Sequence, residues 1–147
     1  CITGTTRGLG KALCDYFRSQ GHEVHGFQRG DDAYHGILGC DLFINNAYGD
    51  GLQMTLLNSL YGKVGKMVVM GSIASDYPDP LLPEYSKQKK ELKERVMELA
   101  NIGETPMLLL QLSGESYNDP DLICKTIEFW IENPKVTSVS FIPGEPN

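Results

Sequence analysis

The sequence lacks long apolar runs. No stretch of its 147 residues approaches the ~18 consecutive apolar residues that cross a bilayer. No charged-then-apolar signal segment stands at its start. We therefore expect a cytoplasmic protein without a membrane partner. The chain begins at Cys1, in the middle of a predicted strand, so we expect a few residues to precede it.

Paired cysteines and clustered histidines are also lacking. The four cysteines, at positions 1, 14, 40 and 124, form no C-x-x-C pair and stand at no zinc-ligand spacing from a histidine. We interpret them as reduced, mostly buried thiols. His22, His25 and His35 are interpreted as solvated or packed side chains. We therefore predict no metal site.

An excess of basic residues is the third absence. There are 13 lysines and arginines against 19 aspartates and glutamates, which gives a formal net charge of −6 and a pI near 5.0. A surface built for nucleic-acid phosphates is basic overall, so that class of partner is excluded. One small basic pocket for a single phosphorylated ligand remains compatible with this balance.

What the sequence does contain is an alternation of short apolar runs with helical patterns. The length predicts a single domain over residues 1–147, and 41% apolar residues are enough for one core. The alternation predicts right-handed βαβ units and an α/β, doubly wound parallel sheet. Residues 30–39 have little apolar periodicity and are predicted as a loop. The predicted strands are Cys1-Ile2, "HEVHGF", "CDLFIN", "KMVVMGS", "PMLLLQL" and "KVTSVSFIP".

Four helices are predicted between these strands. Their segments are Lys11–Gln20, "LQMTLLNSLYG", a helix from about Tyr85 to near Gly103, and a helix opened by Asp119 and Pro120. In the third of them, the side chains of Tyr85 and Lys89 share a face with an apolar stripe because they are four positions apart.

The stretch "TGTTRGLG" follows the first predicted strand and opens the first helix. In that context Gly4 and Gly8 let a pyrophosphate approach the backbone, while Gly10 lets the helix lie close to the strand. The N-terminus of the helix then faces the phosphates. The alternative is an ordinary glycine-rich turn.

Four motifs, in order along most of the chain, resemble the short-chain dehydrogenases/reductases. They are T-G-x-x-x-G-x-G at Thr3–Gly10, "INNAY" at Ile44–Tyr48 in place of N-N-A-G, Ser72 thirteen positions before a tyrosine, and Y-x-x-x-K at Tyr85–Lys89. The resemblance implies a Rossmann-type fold. Only about ten residues separate Arg29 from Cys40, so the family's third strand and its helix are predicted to be deleted. About six strands would then be ordered 2-1-4-5-6-7 in the family's numbering.

The resemblance also implies a reaction. Tyr85 would exchange a proton with the substrate oxygen, a role that a neighbouring ammonium favours by stabilising the phenolate. Ser72 would hold that oxygen, and Lys89 would bind the nicotinamide ribose. The family's relay asparagine corresponds to Asn58, which lies only fourteen positions before Ser72 and is equally explained as a solvent-facing side chain. Without the other motifs, Tyr85 and Lys89 would be ordinary partners on a solvated helix.

The cofactor implied is NADP(H). Gln28 and Arg29 stand at the end of the second strand, where an NAD-binding protein has an acid. We predict that Arg7 and Arg29 clamp the 2′-phosphate, with Asp31 and Asp32 out in the loop; the alternative is two solvated arginines. The full set of predicted cofactor contacts is Gly4, Thr6, Arg7, Gly8, Leu9, Gly10, Arg29, Asn45, Asn46, Ala47, Tyr85, Lys89 and Gly114.

The chain departs from the family after "PMLLLQL". The usual Pro-Gly is replaced by Ser113-Gly114, and the substrate loop is cut to "ESYNDP". An open site for a small carbonyl or alcohol substrate is therefore expected. A homodimer through the helices around Asn58 and Tyr85 is compatible with the sequence.

Two functions remain open at this stage. The first is an NADP(H)-dependent carbonyl reductase or alcohol dehydrogenase of the EC 1.1.1 type. The second is a dinucleotide-binding sensor without turnover, which the shortened substrate loop favours. A sugar-nucleotide epimerase or dehydratase shares the tyrosine and lysine, but the glycine spacing argues against it.

Overall fold

The computed structural model describes residues 1–49, 51–114 and 119–141, and within them six parallel strands form one sheet in the order β2-β1-β3-β4-β5-β6. This corresponds to the predicted order 2-1-4-5-6-7 in the family's numbering. The described residues contain no counterpart of the family's third strand, which would follow β2 along the chain. The strands are β1 (Ile2–Thr3), β2 (Gly26–Phe27), β3 (Leu42–Asn45), β4 (Lys66–Ser72), β5 (Met107–Leu112) and β6 (Ser138–Ser140).

Helices cover both faces of the sheet. They are α1 (Gly8–Ser19), α2 (Ala33–Ile37), α3 (Leu52–Leu60), α4 (Pro83–Ile102) and α5 (Pro120–Glu132), with a 3₁₀ turn at Ile73–Ser75. Helix α4 begins with a proline in its first turn and ends at Gly103, whose φ of +82° is left-handed. The C-terminal end agrees with the sequence prediction, and the helix begins two residues before Tyr85, at the last proline of the segment that was predicted to be irregular.

The two faces of the sheet bury separate cores because side chains alternate along each strand. On one side, Val68 and Met70 of β4 pack with the apolar faces of α1 and α5. On the other side, Met67 and Val69 pack with α3 and α4. The doubly wound α/β architecture predicted from the sequence is confirmed.

The prediction of an irregular loop over residues 30–39 was wrong for five of them. Ala33 and Ile37 stand four positions apart and are both buried against the second core. The carboxylate of Asp32 caps this short helix by accepting a hydrogen bond from the backbone N–H of His35 at 3.3 Å. One apolar pair and one cap therefore replace the family's strand and helix.

Two strands are shorter than predicted. β2 occupies only Gly26–Phe27 of the predicted stretch, because it is an edge strand and its preceding residues His22, Glu23 and His25 are exposed. At the other edge of the sheet, the described part of "KVTSVSFIP" forms only the three residues of β6, and residues 142–143 lie outside the described residues.

Candidate functional site

The glycine loop joins β1 to α1 at the carboxyl edge of the sheet. Gly4 and Gly8 have φ values of +72° and +61°, in the left-handed region that favours glycine. A Cβ atom on Gly10 would overlap the carbonyl oxygen of Gly4. The helix therefore lies directly against the loop, as the sequence predicts, and the contact depends on Gly10 having no side chain.

The N-terminus of α1 lacks a side-chain cap. Arg7 occupies the N-cap position and forms no capping hydrogen bond, and the first turn contains no acidic residue. The side chain of Leu9 is buried in the core, so only its backbone can face a ligand. Amide groups at such an uncapped end are suited to phosphate oxygens.

The segment after β3 lies against this loop. The hydroxyl oxygen of Thr3 accepts hydrogen bonds from the backbone N–H groups of Asn46 and Ala47, both at 3.0 Å. The amide Nδ2 of Asn46 donates to the carbonyl oxygens of Thr3 at 3.2 Å and Gly4 at 3.4 Å. Asn46 therefore stabilises the glycine loop from behind.

Asn45 corrects one prediction. It is fully buried, and its Nδ2 donates to the backbone oxygen of Gln53 at 2.9 Å. A residue with no exposed surface presents nothing to a cofactor, so Asn45 joins β3 to α3 instead of contacting a ligand.

The end of β2 is arranged differently from the prediction. Asp31, expected out in the loop, folds back: its carboxylate accepts from the backbone N–H of Gln28 at 2.9 Å, and its own N–H donates to Gln28 O at 3.1 Å. Gly30, with a φ of +94°, closes this turn. Thr6 of the glycine loop donates to Gln28 Oε1 at 2.9 Å. A carboxylate thus stands at the strand end beside Arg29, which is exposed, as is Arg7.

Ser72, Tyr85 and Lys89 lie around the carboxyl end of β4. Ser72 is the last residue of the strand, and its Oγ accepts from the backbone N–H of Ala74 at 3.1 Å, which leaves its own proton to donate. Tyr85 is half-buried in the first turn of α4. One turn later, the Nζ of Lys89 donates to Met70 O at 3.2 Å, two residues before Ser72.

Lys89 is only 6% exposed. Burial lowers the pKa of Lys89 to about 8, because the charged form loses its hydration. Its Nζ also donates to Gln53 Oε1 at 2.9 Å. The ring centroids of Tyr48 and Tyr85 lie 4.9 and 5.7 Å from this nitrogen, within the range of cation–π attraction.

Tyr48 and Gln53 contact Lys89 and are absent from the predicted set of site residues. The ring of Tyr48 packs edge-to-face on Tyr85, with centroids 5.4 Å apart, and its hydroxyl donates to Gln88 Oε1 at 2.5 Å. Its signal was the tyrosine in "INNAY" where the family has glycine. The sequence signal for Gln53 is its position in the helical repeat of α3. It lies on the same inner face as the buried residues Leu56, Leu57 and Leu60.

Asn58 lies on the opposite face of α3. It is exposed, and its Oδ1 accepts from the Nε of Arg95 at 2.7 Å. The structure therefore favours the solvent-facing alternative for Asn58 over a place in the relay, because a helix cannot turn Gln53 and Asn58 to the same side.

A cavity of about 250 Å³ opens beside Lys89, between the start of α3 and α4, and its lining includes Tyr48, Gln53, Gln88 and Glu91. A larger one, of about 560 Å³, lies at the amino edge of the sheet beside Cys1 and Lys66, away from these residues. Gly114 is exposed with open space around it. Residues 115–118 of the predicted substrate loop lie outside the described residues, and its last two residues, Asp119 and Pro120, cap and begin α5.

No helix within residues 1–49, 51–114 and 119–141 is long and apolar enough to span a membrane. The same residues contain no group of three or more histidine, cysteine, aspartate or glutamate side chains placed to hold a metal ion.

Two solved structures resemble this one over nearly the whole chain. The closed form of serine dehydrogenase complexed with NADP+ superposes with a TM-score of 0.67 at 16% identity, covering 97% of this chain and 95% of that one. The 3-alpha-hydroxysteroid dehydrogenase from Pseudomonas sp. B-0831, complexed with NADH, gives a TM-score of 0.57 at 18% identity, covering 95% and 93%. No protein-family model and no curated protein matches the sequence.

Both neighbours are short-chain dehydrogenases/reductases. At these identities the likeness establishes the fold, and the expectation that the resemblance raised is confirmed at that level. The chain has the Rossmann-type fold of the short-chain dehydrogenases/reductases.

Proposed function

We propose that this protein is a short-chain dehydrogenase/reductase that transfers hydride between NADP(H) and a small carbonyl or alcohol substrate. The observation that carries the proposal is the placement of Lys89. Its ammonium is buried at the carboxyl end of β4, within reach of the Tyr85 ring and two residues from Ser72. A solvated helix pair would leave this lysine in water.

The glycine loop fits a dinucleotide. Open space lies where a Cβ atom of Gly8 would be, and the first turn of α1 offers uncapped amide groups beside it. Amide donors at a helix N-terminus, next to a backbone without side chains, are suited to a pyrophosphate. The nicotinamide supplies hydride chemistry when bound.

The residues of this chain supply the proton chemistry. Ser72 donates a hydrogen bond from its hydroxyl group to the substrate oxygen, and this hydrogen bond orients the substrate. Tyr85 gives a proton to that oxygen, or removes one, depending on the direction of the reaction. The ammonium of Lys89 stabilises the negative charge that develops on the phenolic oxygen when its proton leaves.

The preference for NADP(H) is supported by Arg7, at the N-cap of α1, and Arg29, two positions after β2, both of which are exposed. The carboxylate of Asp31 at the same strand end supports the opposite preference, since a carboxylate there binds ribose hydroxyls and repels a phosphate. We propose NADP(H) because two cations outweigh one anion at a site for a doubly charged group.

Titration with NADPH and NADH, followed by the fluorescence of the reduced nicotinamide, tests this preference. We expect NADPH to bind at least about tenfold more tightly, equivalent to ~1.4 kcal/mol. Changing both Arg7 and Arg29 to Ala should remove the difference, and Asp31→Asn should widen it. Lys11→Ala, an exposed cation on α1, is the matched control. Tighter binding of NADH would contradict the 2′-phosphate proposal.

Turnover with a panel of aldehydes, ketones and quinones tests the enzyme itself. We expect Tyr85→Phe to bind the dinucleotide as the parent does and to lose turnover by ~100-fold or more, because the proton donor is removed. Binding without turnover on any substrate would favour the second function, a dinucleotide sensor. Absence of binding to either dinucleotide would overturn both.

A further inference from the structure

Gln53 forms more side-chain hydrogen bonds to distant parts of the chain than its exposed neighbours on α3. It is 5% exposed. Its Nε2 donates to Asn45 O at 2.9 Å and to Met70 O at 2.8 Å, and its Oε1 accepts from Lys89 Nζ at 2.9 Å. One amide thus connects β3, β4 and α4.

The geometry of these bonds determines where the ammonium of Lys89 lies. An ammonium has three protons, and two of them are donated to the oxygens of Gln53 and Met70. Gln53 also donates to that same Met70 oxygen. The glutamine therefore binds the lysine directly and orients the second acceptor.

The charge of the surroundings makes a neutral partner significant. Both acceptors are uncharged carbonyl oxygens, and the neutral rings of Tyr48 and Tyr85 lie 4.9 and 5.7 Å from the ammonium. Glu91, on the exposed face of α4, is the carboxylate among the described lining residues. An acid at position 53 would form an ion pair with Lys89 and divert its positive charge from Tyr85.

We propose that Gln53 is the positioning residue for the ammonium of Lys89. It acts by a direct hydrogen bond from the first turn of α3. Asn58, the counterpart of the family's relay asparagine, faces solvent and is not placed to contact Lys89. The inference rests on the proposed function only for the catalytic use of Lys89. The orientation of the ammonium by Gln53 stands on the hydrogen bonds themselves.

A pH titration of the lysine side chains by NMR tests this in the full chain. Lysines labelled with 13C at Cε report each ammonium separately, and Lys89→Arg assigns the resonance. The variants are Gln53→Glu and Gln53→Met. Gln88→Met is the matched control, because Gln88 is an exposed glutamine on the same cavity without a hydrogen bond to Lys89.

The two substitutions should move the titration of Lys89 in opposite directions. Gln53→Glu adds an opposite charge at contact distance and should raise the pKa of Lys89 by about one unit or more. Gln53→Met removes an acceptor of the charged form and should lower it by about half a unit or more. The control should leave it unchanged. If both variants lose thermal stability and leave the titration of Lys89 where the control leaves it, Gln53 is a structural bridge and the proposal is wrong.

The wild-type protein alone also tests the contact, so failure of a variant to fold does not end the test. Nuclear Overhauser contacts between the Lys89 Nζ protons and the Gln53 side chain are expected, and their absence below pH 7 would overturn the proposal. With turnover established, Gln53→Met should lower kcat by about tenfold or more and shift the pH profile of kcat in the direction in which it shifts the titration of Lys89.

These readouts separate the two proposals. A titration of Lys89 that responds to Gln53 in a protein that binds no dinucleotide would leave the positioning intact and refute the dehydrogenase. Full turnover in Gln53→Met, with an unmoved titration and pH profile, would refute the positioning and leave the dehydrogenase intact.

Discussion

At the scale of single residues, Lys89 is the side chain whose chemistry conflicts most with its surroundings. Burying a cation with neutral partners destabilises the folded state, because the charge loses its hydration. An apolar residue in a purely structural role would avoid this loss of free energy. The neutral acceptors, and the aromatic rings at 4.9 and 5.7 Å, are the compensation that the fold provides. The proposed catalysis would use this positive charge beside Tyr85.

Substitution of Gly10 gives a prediction at the scale of a single residue. Because the overlap in Gly10→Ala is with a backbone oxygen, which cannot move aside like a side chain, we expect a loss of about 2–3 kcal/mol of unfolding free energy. Gly8→Ala has open space and pays only for its left-handed backbone, about 1 kcal/mol. Urea unfolding of the two variants measures the difference. Equal losses would contradict the close contact between helix and loop.

At the scale of elements, α4 is held near its C-terminus by a residue remote in sequence and near its N-terminus by the segment that precedes it. Near its C-terminus the hydroxyl of Tyr61 donates to Leu99 O at 2.6 Å and accepts from the backbone N–H of Glu104 at 2.9 Å. Toward its N-terminus, Ser86 Oγ accepts from the N–H of Asp79 at 2.9 Å. These contacts join α4 to the residue that follows α3 and to the segment before α4.

Removal of the Tyr61 hydroxyl tests the C-terminal contact. Tyr61→Phe leaves two backbone groups without this partner, so we expect a loss of about 1–2 kcal/mol of unfolding free energy. Tyr77→Phe, on a ring that is 75% exposed, is the matched control and should change stability by less than about 0.5 kcal/mol. The measurement is denaturant unfolding followed by circular dichroism. A Tyr61→Phe variant as stable as the control would show that α4 is held otherwise.

At the scale of the whole molecule, burial of Lys89 makes stability depend on pH. The pKa of Lys89 is lowered from 10.5 to about 8 in the folded protein, so between these values the unfolded chain binds more protons. Unfolding free energy therefore rises with pH across this window. The full contribution of this lowering of the pKa of Lys89 is about 3 kcal/mol.

Buried thiols act in the opposite direction, which determines how the measurement is made. Burial raises the pKa of Cys124 to about 12 and raises that of Cys14 and Cys40. Since these thiols keep their protons only when folded, they lower stability as pH rises above their unfolded values. The rise due to Lys89 is therefore read as the difference between the parent and Lys89→Met, from urea unfolding at pH 7 to 10.5. Lys90→Met, exposed one position away, should preserve the parent's slope, and the same slope in Lys89→Met would refute the assignment.

Much of this protein could be predicted from local patterns. The glycine loop, the alternation of strands and helices and the shared face of Tyr85 and Lys89 depend on residues within one or two turns of each other, and the structure reproduces each of them. The short helix α2 could also have been predicted, since Ala33 and Ile37 follow the N-cap Asp32 and stand four positions apart. It was missed because one turn of helix has too few positions to display a period.

Contacts between segments far apart in sequence could be identified only from the folded structure. Gln53 and Lys89 are 36 positions apart, and no local period relates them; their contact exists because β4 brings α3 and α4 to the same end of the sheet. The same holds for the burial of Asn45 under α3. Periodicity and turn chemistry are local, and they are enough to predict which elements form and in what order. The partner of the buried ammonium was decided by packing, because a buried charge takes whichever acceptor the assembled elements place within hydrogen-bond distance.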